Sequence, residues 1–318
     1  MKKIIEFLKK HRKLLSNIFT ILVIVLMIIY LYKNRLVFDS LKNLKVEYIV
    51  YIILSQVTTV AVTALLNQKI IQTLDRDISY SDAFHLQYAN NFLNKIISEG
   101  GALFRGYYLK KTHKLPYTKY ISTIAGSYIL SFFFYSMMGL VSMAYLFFVK
   151  GKSNYWILIF FIALFFGTII LIWVNPRFKN KKNNRILGLI NSILEGWVKI
   201  KENKKNLLVF SSLTLLLLLL HVPLSVFVYR GLGHSIGVFE SLYMSCMGII
   251  TTFINVTPNG IGIKEGIYMF SSDIIGLNSE VLLLGSLISR AITLASSFIL
   301  GGISYFKISS KLKKENIE

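Results

Sequence analysis

The sequence predicts an all-α integral membrane protein of about six full spans plus two broken re-entrant hairpins, arranged as inverted repeats. Three observations predict it. Of the 318 residues 54% are hydrophobic and mean hydropathy is positive, a composition suited to lipid. Several apolar runs reach the length a helix needs to cross a bilayer. A glycine-rich break also occurs twice. Thr257 to Glu265, TPNGIGIKE, has an echo in Ser98 to Arg105, SEGGALFR, and at an offset of 160 Gly100 falls on Gly260, Arg105 on Glu265 and Gly106 on Gly266.

Met1 to Lys13 carries six Lys and Arg and leads into an apolar run, Leu14 to Tyr32. The run is long and its end, YLYKNR, lacks the small-residue pattern of a cleaved signal, so it reads as a retained first span. Further spans are predicted at Val46 to Leu66, Ser122 to Val149, Tyr155 to Val174, Leu207 to Tyr229 and Val281 to Phe306. Two segments do not fit that series. Phe84 to Ile97 and Ser241 to Val256 are short and studded with polar residues, Asn90, Asn91 and Asn94 in one and Thr251, Thr252 and Asn255 in the other. Each ends at a glycine break, which suits a hairpin that returns to its own face better than a crossing.

Basic residues give the orientation. With the N-terminus cytoplasmic, the inner side holds the N-terminal run, Arg105, Lys110, Lys111, Lys114 and Lys119, nine Lys and Arg between Asn175 and Asn206, and Lys307, Lys311, Lys313 and Lys314. The outer side holds Lys33, Arg35, Lys42, Lys45, Lys150, Lys152, Arg230 and Lys264, about a third as many. This asymmetry predicts both termini inside, the first hairpin on the inner side and the second on the outer. The expected organisation is one polytopic domain over 1–318, with one repeat at about 46–149, another at about 207–306, and a cytoplasmic amphipathic loop at 175–206. In that loop Ile186, Leu187, Ile190, Ile193, Leu194 and Trp197 recur at helical spacing, as in a helix lying on the inner leaflet. Net charge is +21, and its place in loops points to topology and anionic lipid, not to nucleic acid. The single cysteine, Cys246, excludes a disulfide framework.

Both breaks share a chemical logic. A helix starting after Gly260 presents unpaired N–H groups and a positive dipole end, which is an anion site, and Thr257 and Asn259 carry capping side chains. Gly100 and Gly101 open the first helix start likewise. Two such starts aimed at the midplane from opposite faces suit a phosphate carried on a lipid. Arg105 reads either as a bidentate phosphate ligand or as a positive-inside anchor beside Lys110 and Lys111. Glu265 beside a midplane break is costly unless paired or functional. Its open roles are a pair with Arg105 across the pseudo-twofold axis, contact with a cationic headgroup, or proton transfer.

Arg290, about ten residues into the last span, reads as cavity-facing in preference to a structural pair. Lys264 reads evenly as a site cation or an interfacial charge. Asn94 and Asn255 occupy matching positions and read as supports for backbone groups freed at the breaks, while Lys95 and Glu99 stand at ion-pair spacing. His85, His113, His221 and His234 lack metal-ligand spacing, so no metal is expected. No Walker loop or nucleophile elbow is present in the sequence, and no cofactor is expected.

The pattern Pro258, Gly260, Gly262, Glu265 resembles the hallmark of the lysylphosphatidylglycerol synthase transmembrane family, and Gly100, Gly101, Arg105 and Leu109 match its first-half string. Where that family usually has a proline before the first glycines, this chain has Ile97, Ser98 and Glu99. The resemblance covers nearly the whole chain. It implies a relative of the membrane half of bacterial multiple peptide resistance factors, regarded as flippases of aminoacylated phosphatidylglycerol, and of archaeal proteins that handle dolichol-phosphate sugars. Aminoacyl transfer in full-length members resides in a separate soluble domain. This chain ends twelve residues after its last predicted span, so a transferase is not expected.

The leading expectation is therefore a flippase or transporter of an anionic or aminoacylated phospholipid, or of a polyprenyl-phosphate-linked lipid. A membrane-embedded transferase acting on a lipid phosphate, and a non-transporting partner of an envelope-synthesis complex, are the alternatives. Expected partners are phosphate-bearing membrane lipids, with a homodimer or an envelope-synthesis protein as further options. High Ile, Lys and Asn content suggests a bacterial cell membrane.

Overall fold

A computed structural model of the chain describes residues 44–97, 99–174, 185–248, 251 and 262–314, with isolated positions between 21 and 42. Eleven helices are delimited in that part: α1 (Val46–Gln72), α2 (Tyr80–Ile96), α3 (Gly100–Thr112), α4 (Tyr117–Lys150), α5 (Tyr155–Val174), α6 (Arg185–Glu202), α7 (Lys204–Gly231), α8 (Val238–Met247), α9 (Ile263–Phe270), α10 (Ser272–Ile275) and α11 (Ser279–Lys314). No strand occurs among the described residues. The chain is an all-α membrane protein. Five of its helices, α1, α4, α5, α7 and α11, are long and apolar enough to cross a bilayer. They coincide with five of the predicted spans. The other, Leu14 to Tyr32, lies for the most part outside the described residues.

Local chemistry sets the helix ends. Ser79 Oγ accepts the Asp82 N–H at the start of α2, and Asn203 Oδ1 accepts the Lys205 and Asn206 N–H groups at the start of α7. At the end of α4 Gly151 takes a left-handed φ of 65°, and Lys152 N–H returns to the Leu146 carbonyl. That is the glycine-terminated helix end expected where the backbone enters the left-handed region.

Two hydrophobic clusters hold the bundle, one at each end. The first gathers Ile71, Leu74, Ile78, Leu86, Tyr108, Leu109, Tyr120, Trp197, Phe210 and Ile308. The second gathers Met143, Leu146, Phe161, Tyr229, Leu242, Tyr243, Ile274, Ile275 and Leu282. α4 enters one with Tyr120 and leaves through the other with Met143 and Leu146, and α11 runs the opposite way from Leu282 to Ile308. The α2–α3 hairpin begins and ends in the first cluster, through Leu86 and Leu109. The segment from α8 to α10 begins and ends in the second, through Leu242 and Ile275. The two broken segments therefore sit at opposite ends of the long helices.

Element pairing has a further regularity. α1 packs on α7, α2 on α11, and α8 on α4; α1 touches α2 as α7 touches α8; and α3 meets α4 as α9 meets α11. Exchanging the series α1, α2, α3, α4 with α7, α8, α9, α11 leaves every one of these pairings in place. Helices α5 and α6 are additions that pack on α4.

The amphipathic segment differs from the expectation of a helix resting on the leaflet. Its apolar face is covered by protein: Leu194, Trp197 and Ile200 are buried. A Cβ on Gly196 would lie 2.1 Å from the Ser122 carbonyl oxygen, and one on Gly126 would lie 2.4 Å from the Trp197 nitrogen. Two glycines thus let α6 and α4 touch backbone to backbone, which the apolar spacing in α6 alone does not reveal.

Candidate functional site

At the first break the chain turns through Glu99, whose φ of 63° lies in the left-handed region. Its side chain is exposed and caps nothing, and among the described residues it makes no ion pair with Lys95, contrary to the i,i+4 expectation. A residue in the left-handed region reverses the chain sharply, so the i,i+4 geometry of a continuous helix is lost. α3 then starts hard against α2. A Cβ on Gly101 would stand 2.1 Å from the Asn90 oxygen, and the Gly101 N–H donates to Asn94 Oδ1 at 2.9 Å. Asn94 thus satisfies a freed donor at the helix start, and Gly100 keeps the turn close to Ile97.

Arg105 is buried, with 8% of its surface exposed. Its Nη2 donates to Gln87 Oε1 at 2.5 Å and its Nη1 to the Tyr120 hydroxyl at 3.3 Å. Asn67 Nδ2 shares the Gln87 oxygen at 2.9 Å, and Gln87 Nε2 donates to Asn91 Oδ1. These partners are neutral, and Nε of Arg105 is buried without a partner. A buried cation set among neutral groups retains a strong demand for an anion. Its burial also separates it from an anchor at the surface.

At the second break Asn255, Thr257, Pro258, Asn259 and Gly260 lie outside the described residues. The helix begins after Gly262, which has φ 82°, and not after Gly260 as the sequence suggests. Glu265 is consequently third in α9, whereas Arg105 is sixth in α3. The offset of 160 aligns the letters but not the helix starts, so the Arg105–Glu265 pair is not formed.

Glu265, with 1% of its surface exposed, is fully engaged. Oε2 accepts the Gly262 N–H at 2.8 Å, closing the first turn of α9 as a capping box does. Oε1 accepts from Ser286 Oγ at 3.2 Å, from Arg290 Nε at 3.1 Å and from Arg290 Nη2 at 2.7 Å. Arg290, expected to face a cavity in preference to a structural partner, is the ion-pair partner of this carboxylate. The nine uncharged residues before it, Val281 to Ser289, hide that role in the sequence, because the partner lies on another helix.

A cavity of about 310 Å³ opens beside this pair. Tyr128, Tyr135, His221, Lys264, Tyr268 and Ser289 line it, drawn from α4, α7, α9 and α11. Its α4 wall falls in the middle of that helix. Lys264 Nζ sits 5.4 Å from the centre of the Tyr268 ring. Gly285 of α11 lets the Tyr229 ring pass, since a Cβ there would meet Tyr229 Cε1 at 2.4 Å. Lys95, at the end of α2, is within electrostatic range of Lys264 and Arg290. A cation of each broken segment, Lys95 and Lys264, thus lies within electrostatic range of the other, and Lys264 lines the cavity. Among the described residues no group of three or more His, Cys, Asp or Glu stands together to hold a metal.

Two ion pairs escaped the sequence reading. Lys311 of α11 donates to Asp82 of α2 at 2.5 Å, and Lys150 of α4 pairs with Glu240 of α8. Each acid is the third residue of a short helix and each lysine closes a long helix of the other series. The signal was legible only as the acid in the first turn, a common helix-dipole preference. Burial raises the Asp82 carboxyl, yet hydrogen bonds from Lys311 and Ser79 outweigh it and hold the group below its ordinary value.

Among curated proteins and among solved structures no significant match is found. The family model described as the lysylphosphatidylglycerol synthase TM region matches residues 17–301, which takes in both broken segments, the cavity lining and the long helices except the last 13 residues of α11. The match spans most of the chain and gives it a role connected with membrane lipids: this protein belongs to the lysylphosphatidylglycerol synthase TM region family.

Proposed function

We propose that the chain is a lipid flippase that moves a phosphate-bearing lipid between leaflets by alternating access. The observation that carries the proposal is Lys264 of the second broken segment in the wall of a cavity at the middle of the bundle, with Lys95 of the first broken segment within electrostatic range of it and of Arg290 on α11. A headgroup phosphate is the anion such a site recruits inside a membrane.

In this reading residues 46–149 and 207–306 are inverted repeats, and α2–α3 and α8–α10 are re-entrant from opposite faces of the membrane. The exchange-invariant pairing of helices supports it. Both termini are cytoplasmic, because the end bearing α3 and α6 is richer in Lys and Arg, and the setting is a bacterial cell membrane. Gly100, Gly101 and Gly262 form the two helix starts, with Asn94 supporting the first. Arg105 provides an anion contact on the inner side. Asp82–Lys311 and Glu240–Lys150 close opposite ends by turns. Glu265 positions Arg290 and is too fully engaged to serve as a general base, which disfavours the transferase alternative.

Cysteine accessibility tests alternation. With Cys246→Ala as background, Ser289→Cys is labelled with an impermeant thiol reagent added to one side of the membrane and then to the other. Labelling from both sides is the expected result. Labelling confined to one side, with correctly inserted protein, contradicts alternating access.

A further inference from the structure

Among the described residues the cavity lining offers one cation, Lys264, together with aromatic rings, and contains no carboxylate. Glu265, the nearest acid, has Oε2 on the Gly262 N–H and Oε1 on Ser286 and Arg290, so neither oxygen faces a ligand unshared. Asp273 and Glu280, the next acids along the chain, are not part of the lining. Residues 249–261 contain no Asp or Glu in their sequence, so the second break adds no acid. On the first side, Lys95 brings another positive charge and Arg105 has only neutral partners.

From this we infer that the cavity selects lipids whose headgroup carries phosphate and lacks an ammonium group. The inference rests on the proposed lipid-handling role and narrows its substrate class. Phosphatidylglycerol and a polyprenyl phosphate share the required chemistry, whereas the lysyl ester of phosphatidylglycerol adds ammonium charge. An ammonium brought into the cavity meets Lys264 and finds no free carboxylate. Rejection by like charge in a poorly solvated site is a strong source of specificity.

The aromatic lining is the counter-argument, since rings attract cations. Tyr268 already has Lys264 over its ring at 5.4 Å, and Tyr128 stacks against Phe132 with centroids 6.3 Å apart. Cation–π attraction at the remaining rings is opposed by like-charge repulsion from Lys264, which lines the same cavity. A cavity of about 310 Å³ accommodates a headgroup while the acyl chains stay in the bilayer.

The test uses the full chain in proteoliposomes and in detergent micelles. Acyl-labelled phosphatidylglycerol, its lysyl ester and undecaprenyl phosphate are compared for leaflet movement, and the unlabelled lipids for thermal stabilisation of the micellar protein. Wild type is run beside Lys264→Gln and Lys264→Glu. Position 264 is second in α9, where an acid suits the helix dipole, so the Glu variant is expected to fold.

The lysyl ester is expected to move, and to bind, at least about tenfold less well than one of the two phosphate lipids, and Lys264→Glu should shrink or invert that ratio. Which phosphate lipid leads identifies the source. Equal or better binding of the lysyl ester, or a ratio unmoved by Lys264→Glu, overturns the inference. If no lipid moves but stabilisation still discriminates as stated, the inference stands and the transport reading falls. If neither phosphate lipid stabilises the protein over the lysyl ester, the inference falls whatever moves.

Discussion

Glu265 holds Arg290 by two hydrogen bonds to a single oxygen, from Nε at 3.1 Å and Nη2 at 2.7 Å, with 1% of the acid exposed. This joins the start of α9 to the first third of α11. Removing one partner strands a buried charge at a cost of about 3–5 kcal/mol. Glu265→Gln and Arg290→Gln should therefore each lower the unfolding temperature of the detergent-solubilised protein substantially. The double variant should lose less than the sum, with a coupling of at least about 1 kcal/mol. Strict additivity would show that the pair is not formed.

Gly101 and Gly302 make a matched contrast. A Cβ at 101 would stand 2.1 Å from the Asn90 oxygen, while nothing lies within 4 Å of one at 302. Gly101→Ala should destabilise by about 1–3 kcal/mol or prevent folding. Gly302→Ala should be neutral or stabilise by about 0.5–1 kcal/mol. Expression level and thermal unfolding report both, and a harmless Gly101→Ala would mean that α3 does not start against α2.

Arg105 has neutral partners and a buried, unpartnered Nε. A cation kept under those conditions is expected to cost stability in return for function. Arg105→Gln should leave the unfolding temperature unchanged or raise it while reducing lipid movement at least about tenfold. Loss of both together would assign Arg105 to structure alone.

Asp82 and Lys311 predict a pH signature. The Asp82 carboxyl is held below its ordinary value, so its contribution is present above the unfolded-state pKa of about 3.9 and is lost as pH falls through the lower folded value. Lys311 is 45% exposed, so the pair is worth only about 0.5–1 kcal/mol. The stability gap between wild type and Asp82→Asn should be constant from about pH 5 to 8 and close below about pH 4. A gap that opens on acidification would contradict the assignment.

The long helices were legible because crossing a bilayer demands an unbroken apolar run, and Tyr155 to Val174 is found within the predicted bounds. The broken segments were legible from their shortness and from Asn94, whose side chain does meet the freed Gly101 N–H. The pairing of charges was not. Arg290 and Glu265 are 25 residues apart on separate helices, and letter alignment pointed Glu265 at Arg105, because it ignores where each helix starts. The contact of Gly126 with Trp197 was equally hidden, since a glycine in an apolar run gives no sign of what approaches it.

Movement of acyl-labelled lipid between leaflets of proteoliposomes, read by quenching from outside, tests the central claim most directly. Wild-type protein should expose inner-leaflet phosphate lipid to the quencher, and Lys264→Gln and Arg105→Gln, inserted to the same level, should slow it at least about tenfold. Quenching no faster than in protein-free vesicles, with wild-type protein folded and inserted, would contradict a flippase.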